Sequence, residues 1–309
     1  VWSIYDHNFA TFKMGIQAFR SWLLRRYPLI RRGFRDISRP IINNLYIDFT
    51  HILYLIEDIW VLWDSPNLFI NEALRRLDDI IQMVRPTGLV FIAMDGTPPM
   101  NKVQSQRSHL MFKPPGSNAS VNYYAFVAGS KFMDKLHSAL KDFLLNKSQS
   151  DPAWMNPQIV YSSVYQPGEA EHKILEFIRS RSKLPEYQIG EVNCVMTTDS
   201  DLIPLIMLTP EANFLILMPK YRQLAIFPDT ESDYELLYIN ILREFLEKEF
   251  VDCDPRTIFE DWAILLLFLG NDFASEFPNM EVYKLPHLME SYIDNIALKH
   301  KSLLNREKE

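Results

Sequence analysis

Two glutamates stand two residues apart in Gln166-Pro167-Gly168-Glu169-Ala170-Glu171-His172-Lys173, just after a Pro-Gly break and at the start of a helical pattern carried by Ile174, Phe177 and Ile178. Alone, such a pair would serve the first turn of a helix, where carboxylates meet free backbone N–H groups. Other acids change that reading: Asp48, Asp95, Asp199 with Asp201, and Asp272 each fall where an apolar run ends. If they converge, two unit charges ~5 Å apart at an effective dielectric of ~20 repel by roughly 3 kcal/mol. The cluster is then destabilising until cations neutralise it. Oxygen donors with almost no nearby Cys or His suit Mg²⁺ or Mn²⁺ rather than zinc. Two such ions ~4 Å apart suit phosphodiester hydrolysis, one activating the attacking water and the other stabilising the leaving oxygen.

The elements that must position these acids alternate along the chain. Short apolar runs predict strands at Asn44–Thr50, Leu89–Gly96, Gln158–Ser163, Asn193–Asp201 and Phe214–Met218, with a possible short sixth at Leu224–Phe227. Helical spacing is expected from Met14 to Pro28, His51 to Trp63, Asn67 to Val84, Lys131 to Asn146 and Leu237 to Phe250. Asp254 and Pro255 open a last helix, apolar nearly all round, which Gly270 stops before Asp272. Alternating strands and helices imply an α/β fold with a mostly parallel central sheet flanked by helices. In such sheets ligands bind beyond the carboxyl ends of the strands, where these acids would meet.

With 309 residues, 48% of them hydrophobic, the chain can build a sizeable core. Its longest unbroken apolar run, Trp262 to Leu269, is eight residues, far below the ~20 needed to cross a bilayer. The first 13 residues lack the basic and apolar regions of a signal peptide, and Met14 looks more like a natural start than Val1, so residues 1–13 read as an extension outside the core. A cytoplasmic or nuclear protein without a membrane anchor is expected. Cys194 and Cys253 supply neither a disulfide framework nor a zinc set and read as buried small hydrophobes. A net charge of −7 argues against nucleic-acid binding by bulk basicity, yet fits an acidic metal cluster with local basic residues.

Six stretches occur in the order of a known family: MGIQAFRSWLLRRYP, NLYIDFT, FIAMDGTPPMNKVQSQR, QPGEAEHKILEFIR, TTDSDLI and FLGNDF. Together they resemble the N-terminal conserved region of the eukaryotic 5′→3′ exoribonucleases, the XRN family, whose core is related to PIN-like and flap-endonuclease domains. The resemblance implies a metal-dependent nuclease releasing mononucleotides from the 5′-monophosphate end of single-stranded RNA. It assigns two Mg²⁺ or Mn²⁺ ions to Asp48, Asp95, Glu169, Glu171, Asp199, Asp201 and Asp272. It assigns the 5′ phosphate to Lys102 and Gln106, with Arg107 beside them, and places Tyr54 where the family has a base-stacking histidine. The nuclease domain is expected over residues 14–309, without the family's second conserved region.

Two further features depart from the family. His109 and Leu110 replace two consecutive arginines, removing fork-like donors for phosphate. The charged insert before Lys131 is cut to a short loop. Two alternatives follow: a divergent or truncated paralogue that binds RNA or a protein with weak activity, or a structure-specific endonuclease of the flap type. Among the other candidates, His172 reads as a packing residue or a support for a metal ligand rather than a ligand, His51 carries little signal, and Trp22 and Trp262 read as core.

Overall fold

The computed structural model describes residues 16, 18–35, 40–56, 65–100, 102–103, 123–185, 187, 190–220, 234–250, 255–271, 274–296 and 302–304. Its centre is one seven-stranded sheet. The strands are β1 (Arg31–Gly33), β2 (Asn44–Asp48), β3 (Leu89–Ala93), β4 (Gln158–Ser162), β5 (Asn193–Met196), β6 (Phe214–Pro219) and β7 (Tyr234–Tyr238). Their order is β1-β7-β6-β5-β2-β3-β4. The five strands from β4 to β6 are parallel, and β7 and β1 close one side antiparallel.

Alternation within each strand divides the interior into two layers. Tyr46, Phe91, Val195, Ile216 and Leu237 face one cluster, packed by the helices Phe19–Arg26, Ala170–Arg181, Leu202–Met207, Ile239–Glu249, Pro255–Leu267 and Leu285–Asn295. Leu45, Ile47, Val90, Ile92, Cys194, Met196, Leu215, Leu217 and Leu236 face the other, under the helices Phe49–Ile56, Pro66–Val84 and Lys131–Ser150. Both faces being covered explains why the parallel strands read as unbroken apolar runs, and each such side chain contributes ~1.5–3 kcal/mol on burial. Trp22 and Trp262 belong to the first cluster, as expected of core residues. Burial pushes the Cys194 thiol up to about 12, so it behaves as a small hydrophobe; Cys253 lies outside the described residues.

The five predicted strands form, with ends shifted by a few residues. Two further strands escape the hydrophobic pattern. The stretch whose spacing predicts one helix from Leu237 divides into β7 and a helix beginning at Ile239. Glu235 disguises β7: it is only 4% exposed, yet Arg20 Nη2 donates to its Oε1 at 2.6 Å and Arg31 Nε lies 3.8 Å from Oε2. Those arginines compensate a charge that a strand core normally excludes. In β1 the three residues Arg-Arg-Gly carry no alternation at all. The Leu224–Phe227 run and residues 57–64 of the second predicted helix lie outside the described residues. No described helix is long and apolar enough to cross a membrane.

Candidate active site

Asp48 is the last residue of β2, paired in register with Ala93 of β3. Two residues past Ala93, the Asp95 N–H donates to Thr50 Oγ1 at 2.9 Å, which ties the turn after β3 to the helix after β2. Asp95 Oδ1 then accepts from the Ala170 N–H at 2.7 Å, at the first residue of the helix Ala170–Arg181. One of the free N–H groups at that helix end is thereby satisfied.

The turn carrying Asp95 and the loop carrying Glu169 are also joined through glycines. The Gly96 N–H donates to the Gly168 carbonyl and the Gly168 N–H to the Thr97 carbonyl, both at 2.9 Å. A Cβ on Gly96 would stand 1.9 Å from the Gln166 carbonyl oxygen, so only glycine permits this approach. Gly168 has φ +97°, which a side chain would strain. Glu169 is the N-cap in extended conformation, φ −79° and ψ 153°, whereas Glu171 is inside the first turn. On one regular helix the two would diverge by ~200°. With Glu169 outside the helix, both enter the same region.

Asp199 and Asp201 follow β5. Thr197 Oγ1 accepts from the Asp199 N–H at 3.1 Å and lies 2.8 Å from His51 Nδ1. Asp199 Oδ1 accepts from the Asp201 N–H at 2.8 Å. Asp201 Oδ1 accepts from the Ile16 N–H at 2.6 Å, which ties Ile16 to this edge of the sheet.

Five of the acids act on one another through their charge. Burial pushes the Asp48 carboxyl up to about 6, helped by Asp95 and Asp199 and opposed by His51, whose Nδ1 is 3.2 Å from Asp48 Oδ2. Glu171, 9% exposed, is raised well above the ordinary carboxyl range, first by burial and then by Asp199, with Glu169 and Asp48 adding. Lys102 opposes that rise, and its Nζ donates to Glu169 Oε2. Asp48, Asp95, Glu169, Glu171 and Asp199 therefore form one electrostatic unit with Lys102 at its rim.

Among the described residues no three His, Cys, Asp or Glu side chains are drawn together as a finished ligand set. The donor chemistry nevertheless fits a divalent cation: oxygen donors only, partly buried, with repulsion that Lys102 and His51 offset in part.

Three residues that sequence reasoning passed over belong here. His51 holds Asp48 and meets Thr197, and its three-residue spacing from Asp48 at a strand-to-helix junction was the available signal. Thr50 caps the Asp95 N–H. Lys173 donates Nζ to the carbonyls of Met94 at 2.8 Å and Ser163 at 3.0 Å, and its pKa is lowered by burial against the pull of Asp95 and Asp48. His172, by contrast, sits at the margin, its Nδ1 3.7 Å from Glu171 Oε1. Tyr54 is half-buried one turn beyond His51, its ring centroid 6.2 Å from that imidazole and 5.9 Å from Phe126. Asp272, Gln106, Arg107, His109 and Leu110 lie outside the described residues.

The family model described as the XRN 5′-3′ exonuclease N-terminus matches residues 14–115 and 112–220. Human 5′-3′ exoribonuclease 1 is 27% identical over 91% of this chain and 18% of its own length. The 5′-3′ exoribonuclease 1 of Schizosaccharomyces pombe is 28% identical over 87% and 23%, and the 5′-3′ exoribonuclease 2 of Debaryomyces hansenii 27% over 87% and 34%. The chain thus spans between about a fifth and a third of the length of these curated relatives. Among solved structures, the catalytic core of Rad2 in complex with DNA substrate aligns with TM-score 0.48 and 14% identity over 90% of this chain and 68% of that one. The T5 D15 protein co-crystallised with metal ions aligns with TM-score 0.43 and 12% identity over 81% and 75%.

Proposed function

This chain belongs to the family of the XRN 5′-3′ exonuclease N-terminus, and on that premise we propose that it is the nuclease domain, residues 14–309, of a metal-dependent 5′→3′ exoribonuclease acting on single-stranded RNA. The observation that carries the reading is the electrostatic unit of Asp48, Asp95, Glu169, Glu171 and Asp199 at the carboxyl edge of a parallel sheet. Its position follows the rule for ligand sites in such sheets.

Asp48, Asp95, Glu169, Glu171 and Asp199, with Asp201 and Asp272, would hold two Mg²⁺ or Mn²⁺ ions. When bound, they supply an activated water and charge stabilisation at the leaving oxygen. The chain's own groups do the rest. Lys102, Gln106 and Arg107 take the 5′ phosphate through charge-assisted bonds. Tyr54 offers a ring for the first base. His51 orients Asp48, and Lys173 locks the Met94 and Ser163 carbonyls beneath the site, fixing the backbone that carries Asp95 and the approach to Glu169.

A second reading, an RNA-binding paralogue of weak activity, draws on His109 and Leu110 in place of the family's two arginines. One experiment separates the two. Purified protein is incubated with 5′-monophosphorylated or 5′-hydroxyl RNA in Mg²⁺, with Asp199→Ala as control. Mononucleotides from the monophosphate substrate alone support the exonuclease. RNA binding without metal-dependent products supports the second reading, and internal fragments would point to an endonuclease instead.

A further inference from the structure

Lys102 follows the Asp95–Gly96 turn by six residues, in a helical turn begun at Met100, where the Val103 N–H donates to the Pro99 carbonyl at 3.0 Å. Its side chain is 15% exposed and its Nζ is held by Glu169 Oε2. The same ammonium acts on Glu171 and His172, so it stands inside the field of the carboxylates. Lys173, the other lysine at the site, is committed to the carbonyls of Met94 and Ser163.

A cation that already occupies one oxygen of an acidic cluster competes with any other cation for it. Glu169 is buried at the helix entrance, and Glu171, two residues on, shares the same region. We propose that Lys102 is the resident counter-ion of this cluster, displaced from Glu169 when a divalent cation binds, so that metal loading releases the ammonium to meet a phosphate. The inference rests on the reading of the carboxylates as a metal site. It adds an order of events: the metal-free chain keeps Lys102 folded onto Glu169, and the phosphate-binding lysine is delivered by the metal. By linkage, the lysine charge weakens metal affinity in the absence of RNA, because ammonium and metal stabilise the same carboxylates.

Mn²⁺ binding to the full chain at neutral pH without RNA, followed by the electron paramagnetic resonance signal of the free ion, tests this. Site binding is defined as the part lost in Asp199→Ala, and circular dichroism checks each fold. Lys102→Met and Lys102→Gln should bind Mn²⁺ roughly tenfold tighter than the parent, whereas Lys102→Arg, which keeps the charge, stays near it. Equal or weaker binding by the neutral variants overturns the inference and leaves the metal site standing. Loss of Asp199-dependent binding in every chain, parent included, overturns both. The unmodified chain gives an independent readout: acetylation of Lys102, followed by peptide mass spectrometry, should speed up several-fold on adding Mn²⁺. Unchanged or slower labelling counts against displacement.

Discussion

The main-chain N–H of Ala170 donates to Asp95 Oδ1 at 2.7 Å, so a strand-end acid caps the helix that brings Glu169 and Glu171. Asp95 thus has a structural role that can be separated from its proposed metal role. Asp95→Asn keeps an acceptor oxygen for Ala170 and should leave the urea midpoint nearly unchanged. Asp95→Ala should cost about 1.5–3 kcal/mol, the value of a hydrogen bond to a charged group. Both should lose about 100-fold or more in RNA hydrolysis, at least the loss typical of disturbing a ligand's support. Equal stability of the two variants would remove the capping role.

Gly96→Ala should act on Glu169 from a distance. The new Cβ would fall 1.9 Å from the Gln166 carbonyl oxygen, a backbone atom that cannot swing aside. The loop Gln166–Gly168 must move, at a cost of about 1–3 kcal/mol for an overpacked site. Urea denaturation should register that cost, and Mg²⁺ should be required at higher concentration for activity.

Divalent cations should stabilise the fold. At a metal concentration ten times the dissociation constant the gain is about 1.4 kcal/mol, or roughly 2 °C in melting temperature for a chain of this size. Differential scanning fluorimetry with Mg²⁺ and Mn²⁺ measures it, and Asp199→Asn should shrink it. A flat response in the parent chain would undo the metal assignment.

Arg243 supports the site from behind. From the helix Ile239–Glu249 its guanidinium donates to the carbonyls of Ile206 at 3.3 Å, Met207 at 3.0 Å, Thr209 at 3.2 Å and Glu211 at 2.5 Å. It therefore closes the end of the helix Leu202–Met207, whose start follows Asp199 and Asp201. Lysine cannot present that fork. Arg243→Ala should lose about 2–4 kcal/mol in urea denaturation, and Arg243→Lys should recover less than half of it.

Glu211 supplies a pH signature remote from the acids of the site. Burial raises its pKa above the ordinary 4.5, outweighing Arg181 and Arg243, while Tyr187 Oη and Asn193 Nδ2 donate to its Oε2. The folded chain therefore holds this proton more tightly than the unfolded chain. Its contribution to stability falls as pH rises from about 4.5 through the raised value. Glu211→Gln keeps an acceptor and removes the titration. The stability difference between parent and variant should shift against the parent across that window, and a difference independent of pH would contradict the shift.

Much of the fold was legible because the parallel strands are buried on both faces and bounded by turn residues. The aspartates were legible for a related reason, since each falls where an apolar run ends, and the two glutamates because they follow a Pro-Gly break. β7 was hidden because Glu235 owes its place to Arg20, some 215 positions away, a relation that no local window contains. His51 was passed over because its partners, Asp48 and Thr197, meet only once β2 and β5 are neighbours. Asp201 adds a contact that no motif announces, its Oδ1 accepting from the Ile16 N–H 185 positions away.

The division of labour between Asp and Glu follows from the sheet. Asp48, Asp95 and Asp199 leave the ends of neighbouring strands, ~4.8 Å apart, whereas Glu169 and Glu171 arrive at the entrance and in the first turn of a helix packed on one face. The two side-chain lengths thus sort by element, aspartates at the strand ends and glutamates at the helix entrance. Exchanging Asp48 for Glu, or Glu171 for Asp, preserves every charge and still alters reach by about 1.5 Å, the length of one carbon–carbon bond. Either exchange should therefore weaken the proposed metal site while leaving its charge intact.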